Sequence, residues 1–156
     1  MNPPVNSNRY RFSRASRLLK PSEFQAVFDA RQATRGQWLT AHRADTTSFE
    51  PDLVLSGSRN GRLGLVVAKR LVPTAARRNL IRRIVREYFR THPEQFLSGD
   101  WIIRLHESPF PNPAKIRAGA VMPTRAHLVR GLREDLVRVL GRSARKKAIP
   151  TDTDHA

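Results

Sequence analysis

The chain has 156 residues, 39% of them hydrophobic, which suits one modest core with tails and excludes two full domains. Its formal charge of +16 points to a polyanionic partner, nucleic acid above all, rather than to an acidic small molecule. Cysteine is absent, which excludes disulfides and thiolate zinc sites, and no apolar run reaches the roughly 18 residues needed to span a bilayer.

Residues 1–16 are polar, basic (Arg9, Arg11, Arg14) and free of acids, and read as a flexible arm able to gain order on a polyanion. Met1 to Ser7 lacks the apolar stretch of a signal peptide, so a cytoplasmic location is expected. A first helix is predicted from Pro21, a good first helical position, with Glu23 placed to favour the helix dipole and Phe24, Val27 and Phe28 on one face. The charged stretch Arg31 to Gly36 is expected to end it, and Gln37 to Arg43 reads as a strand. Thr46 to Gly61 is predicted as a loop or irregular hairpin, with a short strand at Leu53–Leu55.

Arg62 to Ala68 is a β-rich run that feeds a strongly basic segment, in which Lys69 to Arg90 holds eight basic side chains against one acid, Glu87. Pro73 interrupts, so a connection is predicted to Ala76 and a helix from Arg77 to about His92, stopped by Pro93. At about 100° per residue, Leu80, Ile81, Ile84, Val85, Tyr88 and Phe89 share one half of this helix, opposite Asn79, Arg82, Arg83, Arg86 and Arg90. One Glu cannot neutralise so many guanidiniums; phosphates can, and Arg is shaped to fork onto them. A membrane-surface helix is disfavoured, because the aromatics lie on the side that a core would claim.

Asp100 to Leu105 is a further strand, Ser108 to Pro123 a proline-rich loop, and a last helix from Thr124 or Arg125 to about Gly141 carries Leu128, Leu132, Leu136 and Leu140 on one side. Residues 142–156 read as a disordered basic tail with an acidic tip. The element order predicts an α/β sandwich with helices packed on a small sheet.

A protein catalyst of phosphodiester hydrolysis needs clustered carboxylates or a base beside a nucleophile. The five histidines are scattered with no His-x-x-x-His pair, Asp152 and Asp154 lie in the tail, and the glycines from Gly57 to Gly64 match no phosphate-loop fingerprint. The chain reads as a binder without catalytic or metal-ligating residues of its own.

The motif Val67-Ala68-Lys69-Arg70, then seven residues, then Arg78-Asn79-x-Ile81-Arg82-Arg83-x-x-Arg86-Glu87-x-Phe89-Arg90, resembles the signature of the protein subunit of bacterial ribonuclease P. Arg17 to Phe28 and Arg62 to Val67 resemble the family's first helix and the strand before the signature, so that residues 17–141 form the domain. The resemblance implies an α+β sandwich like the second domain of ribosomal protein S5, with a mixed sheet and a left-handed βαβ crossover. It implies that the chain partners a catalytic RNA, which holds the Mg²⁺ ions and cuts the 5′ leader from precursor tRNA, while the protein binds the leader and stabilises the RNA.

Carried over, the RNA-binding positions are Lys69, Arg70, Arg78, Asn79, Arg82, Arg83, Arg86 and Arg90, and the leader-binding positions Phe24, Phe28, Trp38 and Arg43. Phe24 and Phe28 are equally suited to a core, since aromatics at i, i+4 on an apolar face ordinarily are. Two positions depart from the pattern: Leu80 stands where a basic residue is usual, with Arg77 upstream, and Ala41 stands where many members carry an aromatic, with His42 beside it. The alternatives are a non-enzymatic ribosomal or RNA-chaperone protein of similar fold and, less favoured, a protein-only nuclease.

Overall fold

A computed structural model describes residues 12, 14–45, 61–96 and 99–147, with side chains as far as Arg145. The hairpin predicted between Thr46 and Gly61, its strand at Leu53–Leu55 included, falls almost wholly outside them, as do the start of the basic arm and the end of the tail.

Four strands, β1 (Gln32–Arg35), β2 (Leu39–Ala44), β3 (Arg62–Val66) and β4 (Asp100–Leu105), form a mixed sheet in the order β1-β2-β4-β3. β2 pairs antiparallel with both β1 and β4, whereas β3 runs parallel to β4. Parallel neighbours need a crossover, and helix α2 (Ala75–Thr91) supplies it, making β3-α2-β4 a βαβ unit.

Helix α2 and the last helix, α4 (Arg125–Lys147), cover one face of the sheet. Their apolar stripes meet the inward side chains of the strands, with Ile81, Leu132 and Leu136 fully buried against Leu39, Leu63 and Ile103. The other face carries α1 (Pro21–Asp29), whose Val27 is buried with Leu18 and Ile102. α1 lies over β2 and β4, and Phe24, Phe28, Ala44 and Val66 pack around its buried cluster, while Arg35 and Arg104 stay exposed.

Two ionic clasps fix these layers. Arg62 forks onto its cross-strand neighbour Asp100, at 2.8 and 2.7 Å, and donates to Glu23 of α1 at 2.8 Å. The other Glu23 oxygen accepts the N–H groups of Leu19 and Lys20, orphan donors at the start of the helix. On the far side, Asp135 of α4 is 1% exposed and accepts three consecutive N–H groups from the β1–β2 turn, those of Gln37, Trp38 and Leu39, at 2.7, 2.9 and 2.8 Å. Gly36 makes room for that carboxylate, which lies 2.2 Å from where a Cβ would stand.

Several elements differ from the sequence reading. Arg31 to Gly36 forms edge strand β1 instead of merely ending α1: only Thr34 of the strand is buried, so no alternation of apolar residues announces it. Arg31 enters it with a left-handed φ of 52°, which turns the chain out of the helix. The proline-rich loop contains a short helix, α3 (Pro113–Arg117), capped by Asn112, whose side chain accepts the N–H of Lys115. α4 runs past Gly141 to Lys147, so the first part of the predicted tail is helical. The end of the predicted arm is ordered too, with Arg14–Ser16 in a 3-10 turn and Phe12 edge-on to Phe89 of α2.

Candidate nucleic-acid interface

The basic face of α2 has the composition expected and is open to solvent. Ile81, Ile84, Val85, Tyr88 and Phe89 are buried, and Asn79, Arg83 and Arg86 are exposed on the opposite side, with Arg82 half-buried beside them. Burying each large apolar side chain contributes about 1.5–3 kcal/mol, enough to hold the helix against the repulsion of its own arginines. Lys69 and Arg70 stand exposed in the turn leading into it.

Among the described residues, no carboxylate lies within ion-pair distance of Lys69, Arg70, Arg78, Arg82, Arg83 or Arg86. Arg82 donates to Asn79 at 3.3 Å. Arg78 donates to the carbonyls of Val72 and Pro73, at 2.9 and 2.6 Å, and so braces the turn that holds Lys69 and Arg70. Arg90 is different, since its guanidinium is engaged by Glu87 at 3.1 Å and by a second, shorter contact. The Glu87 carboxyl is held below its usual range chiefly by that bond.

Arg86 lies where burial, then Arg17 and Arg82, depress its pKa. The charges of Arg17 and Arg82 are thus felt at Arg86, no carboxylate among the described residues lies within ion-pair distance of the three, and Arg17 joins the ridge from outside α2. Its position is set by Phe12, over whose ring it lies at 4.9 Å and whose carbonyl it meets at 3.2 Å. The sequence places Arg17 at the junction of the basic arm and the segment that resembles the family's first helix, but not among the positions of the ridge. Arg77 turns away from the ridge and lies 5.0 Å over the Phe110 ring, while Leu80 packs half-buried against the core, so neither replaces the missing cation.

The second constellation lies on the α1 side of the sheet. Phe24 and Phe28 are both half-buried. Phe24 rests on β3 where Gly64 leaves space, its ring atoms 2.6 and 2.8 Å from the position a Cβ would take. Phe28 meets the ring of His42 edge-on, at 4.9 Å and 77°. His42 therefore supplies the aromatic that Ala41 lacks, because Ala41 points into the opposite core. Burial, then the charge of Arg104, lowers the His42 pKa.

Beyond α1 the same face shows a polar row. Register places Arg35, Thr40 and Arg104 side by side across β1, β2 and β4, and His106 Nδ1 lies 2.9 Å from the Thr40 hydroxyl. Arg104 and Arg35 are exposed and have no carboxylate partner among the described residues. Neither arginine was singled out in the sequence; a cation inside the apolar run of β4 was the available sign.

Trp38 and Arg43 do not join this face. Trp38 fills the notch at Gly131 of α4, and Arg43, 6% exposed, lies 5.1 Å over the Trp101 ring and pairs with Asp45. Both belong to the α2/α4 side: Arg43 because side chains on a strand alternate between faces and His42 takes the other, and Trp38, in the turn before β2, because Gly131 makes room for its ring.

A basic helix face with a solid apolar underside, beside a half-covered sheet with exposed arginines, is the build of a nucleic-acid-binding α+β protein. A family model described as Ribonuclease P matches residues 12–116. The chain is 43% identical over 98 residues to the ribonuclease P protein component of Paraburkholderia xenovorans, covering 61% of this chain and 60% of that one. To the component of Aromatoleum aromaticum it is 36% identical over 132 residues, covering 85% and 90%. Among solved structures, the RNase P protein of Staphylococcus aureus superimposes with a TM-score of 0.59 at 23% identity, covering 83% of this chain and 96% of that one. The Thermotoga maritima protein gives 0.53 at 22%, covering 81% and 96%. The chain belongs to the ribonuclease P protein family.

No helix among the described residues is long and apolar enough to cross a membrane.

Proposed function

We propose that this chain serves as the cytoplasmic protein subunit of ribonuclease P, gripping a catalytic RNA through α2 and the 5′ leader of precursor tRNA through the open side of the sheet. The observation that carries the reading is the row of solvent-facing cations on α2 and the turn before it, Arg82, Arg83 and Arg86 with Lys69 and Arg70, none of which has a carboxylate within ion-pair distance among the described residues. Phosphates relieve that repulsion and release counterions, so binding is favourable and salt-dependent. Arg78 and Asn79 serve the same surface by bracing the turn and orienting Arg82, and Arg90 stands at its end.

The leader follows the cleft beside α1. Phe24, Phe28 and His42 provide an aromatic wall on which an unpaired base can stack, and the exposed Arg104 and Arg35 meet its phosphates. The two binding faces lie on opposite sides of one sheet, so the protein holds ribozyme and substrate together and orders their encounter.

Among the described residues no three His, Cys, Asp or Glu side chains gather as a metal site would require. In this reading the Mg²⁺ ions belong mainly to the RNA, which performs the hydrolysis, and the protein lowers the charge repulsion that otherwise demands more Mg²⁺.

Reconstitution tests the reading directly. The purified protein alone leaves precursor tRNA intact, and its addition to the RNA subunit at low Mg²⁺ restores removal of the leader. Absence of rescue, or cleavage by the protein freed of RNA, refutes it.

A further inference from the structure

The predicted tail contains the most informative surprise. Buried residues of α4 end at Leu140, yet the helix continues to Lys147. At about 100° per residue, Arg138, Arg142 and Arg145 share an arc of about 60° on one flank. That flank faces the β1 edge: Arg138 approaches Asp135, the carboxylate that holds the β1–β2 turn, at 3.5 Å, and Arg142 donates to the carbonyl of Arg35 at 3.4 Å. The opposite flank carries Arg133, whose charge is felt by Glu87 and Tyr88 of α2.

The stripe is therefore separate from the α2 ridge and joins the other binding face. Arg104, Thr40 and Arg35 cross β4, β2 and β1 in register, a path of about 10 Å at the usual strand spacing. At the edge, Arg142 touches the backbone of Arg35, and from there Arg138, Arg142 and Arg145 extend the run of cations by about 10 Å along α4.

A stripe of basic residues near a helix C-terminus has a simpler explanation, stabilisation by the helix dipole. That effect fades beyond the last turn and does not account for Arg138. Internal neutralisation reaches only Arg138, which lies 3.5 Å from Asp135. Asp135 already accepts three backbone N–H groups, and neither Arg142 nor Arg145 has a carboxylate partner among the described residues.

We propose that Arg138, Arg142 and Arg145 form an extension of the leader cleft, which takes the phosphates of the 5′-distal part of a long leader as it leaves the sheet over the β1 edge. The occupant is single-stranded RNA, because it continues the strand held on the sheet; the charge of the stripe gives affinity without base preference. The proposal rests on the leader-cleft reading and adds a dependence on leader length.

The test uses holoenzyme reconstituted with the catalytic RNA and precursor tRNAs with leaders of about 5 or about 15 nucleotides, within the range of single-strand site sizes. The wild type binds the long-leader substrate about tenfold more tightly, as expected for three exposed charge contacts. The Arg138→Gln/Arg142→Gln/Arg145→Gln variant loses this advantage and keeps its affinity for the short leader, and its log–log salt slope for the long leader falls by about 2. Arg142→Gln/Arg145→Gln, which leaves Asp135 and its partner intact, loses a corresponding part and guards against misfolding. Unchanged long-leader affinity overturns the proposal, as does equal weakening with both leaders or weaker binding of the catalytic RNA alone. Arg35→Gln/Arg104→Gln reads the underlying cleft separately: unaltered short-leader affinity there refutes the cleft reading, whatever the stripe does.

Discussion

Replacing Arg82, Arg83 and Arg86 together by Gln removes three cations from α2 while leaving its buried face untouched. None of the three has a carboxylate partner in the described structure, so each is available to neutralise one phosphate. With Arg17, Lys69 and Arg70 the wild type has about six such contacts, giving a log–log salt slope of about −4 to −5 for the catalytic RNA. The triple variant should bind with a slope flatter by about 2 to 3 and lose affinity most at low salt. Arg90→Gln is the internal control: its guanidinium already answers Glu87, so removing it frees a carboxylate and changes the slope by well under 1. The assay is equilibrium binding of refolded catalytic RNA across a salt series, with thermal unfolding of each variant to verify the fold. A triple variant with the wild-type slope, or one no more affected than Arg90→Gln, refutes the assignment of the ridge to phosphates.

Asp135→Ala leaves three turn N–H groups without an acceptor, and at about 1–3 kcal/mol for each donor left unpaired, part of it recovered by water, we expect a loss of about 3–5 kcal/mol in urea unfolding. A change below about 1 kcal/mol would show that the turn needs no anchor. Glu23, whose carboxyl is lowered to about 2 by the backbone N–H groups of Lys20 and Leu19 and by Arg62, contributes stability that is complete above its unfolded pKa of 4.5 and disappears as pH falls toward 2. Half-exposed partners screen the effect, so Glu23→Gln should cost about 1–2 kcal/mol at pH 7 and little at pH 2, as measured by denaturant titration at both values.

The parts of the fold that were legible in the sequence are those where local pattern and tertiary demand agree. α1 begins at Pro21, β4 runs from Asp100 to Leu105, and the buried face of α2 matches the helical spacing of its apolar residues. β1 was hidden because an edge strand with one buried residue is held by its neighbour's hydrogen bonds, which leave no trace in its own composition. The C-terminal turns of α4 were hidden because Gly141 and the arginines after it lack apolar periodicity.

At the candidate site, the ridge could be read because its residues share one helix. The sheet surface could not, because it is assembled from β1, β2 and β4, and the face taken by each residue depends on register. A single position of parity separates His42, which meets Phe28, from Arg43, which turns into the opposite core. Trp38 is directed by the notch at Gly131, more than ninety residues along the chain, which no local pattern encodes.

The clasp between Asp135 and the β1–β2 turn joins amides and carboxylate separated by 96 to 98 positions. On a ribosome making the chain from its N-terminus, those amides emerge long before their acceptor and stay hydrated until α4 is released. The hairpin that presents Arg35 and Thr40 thus matures last, and a nascent chain stalled before α4 has no finished edge to offer an RNA.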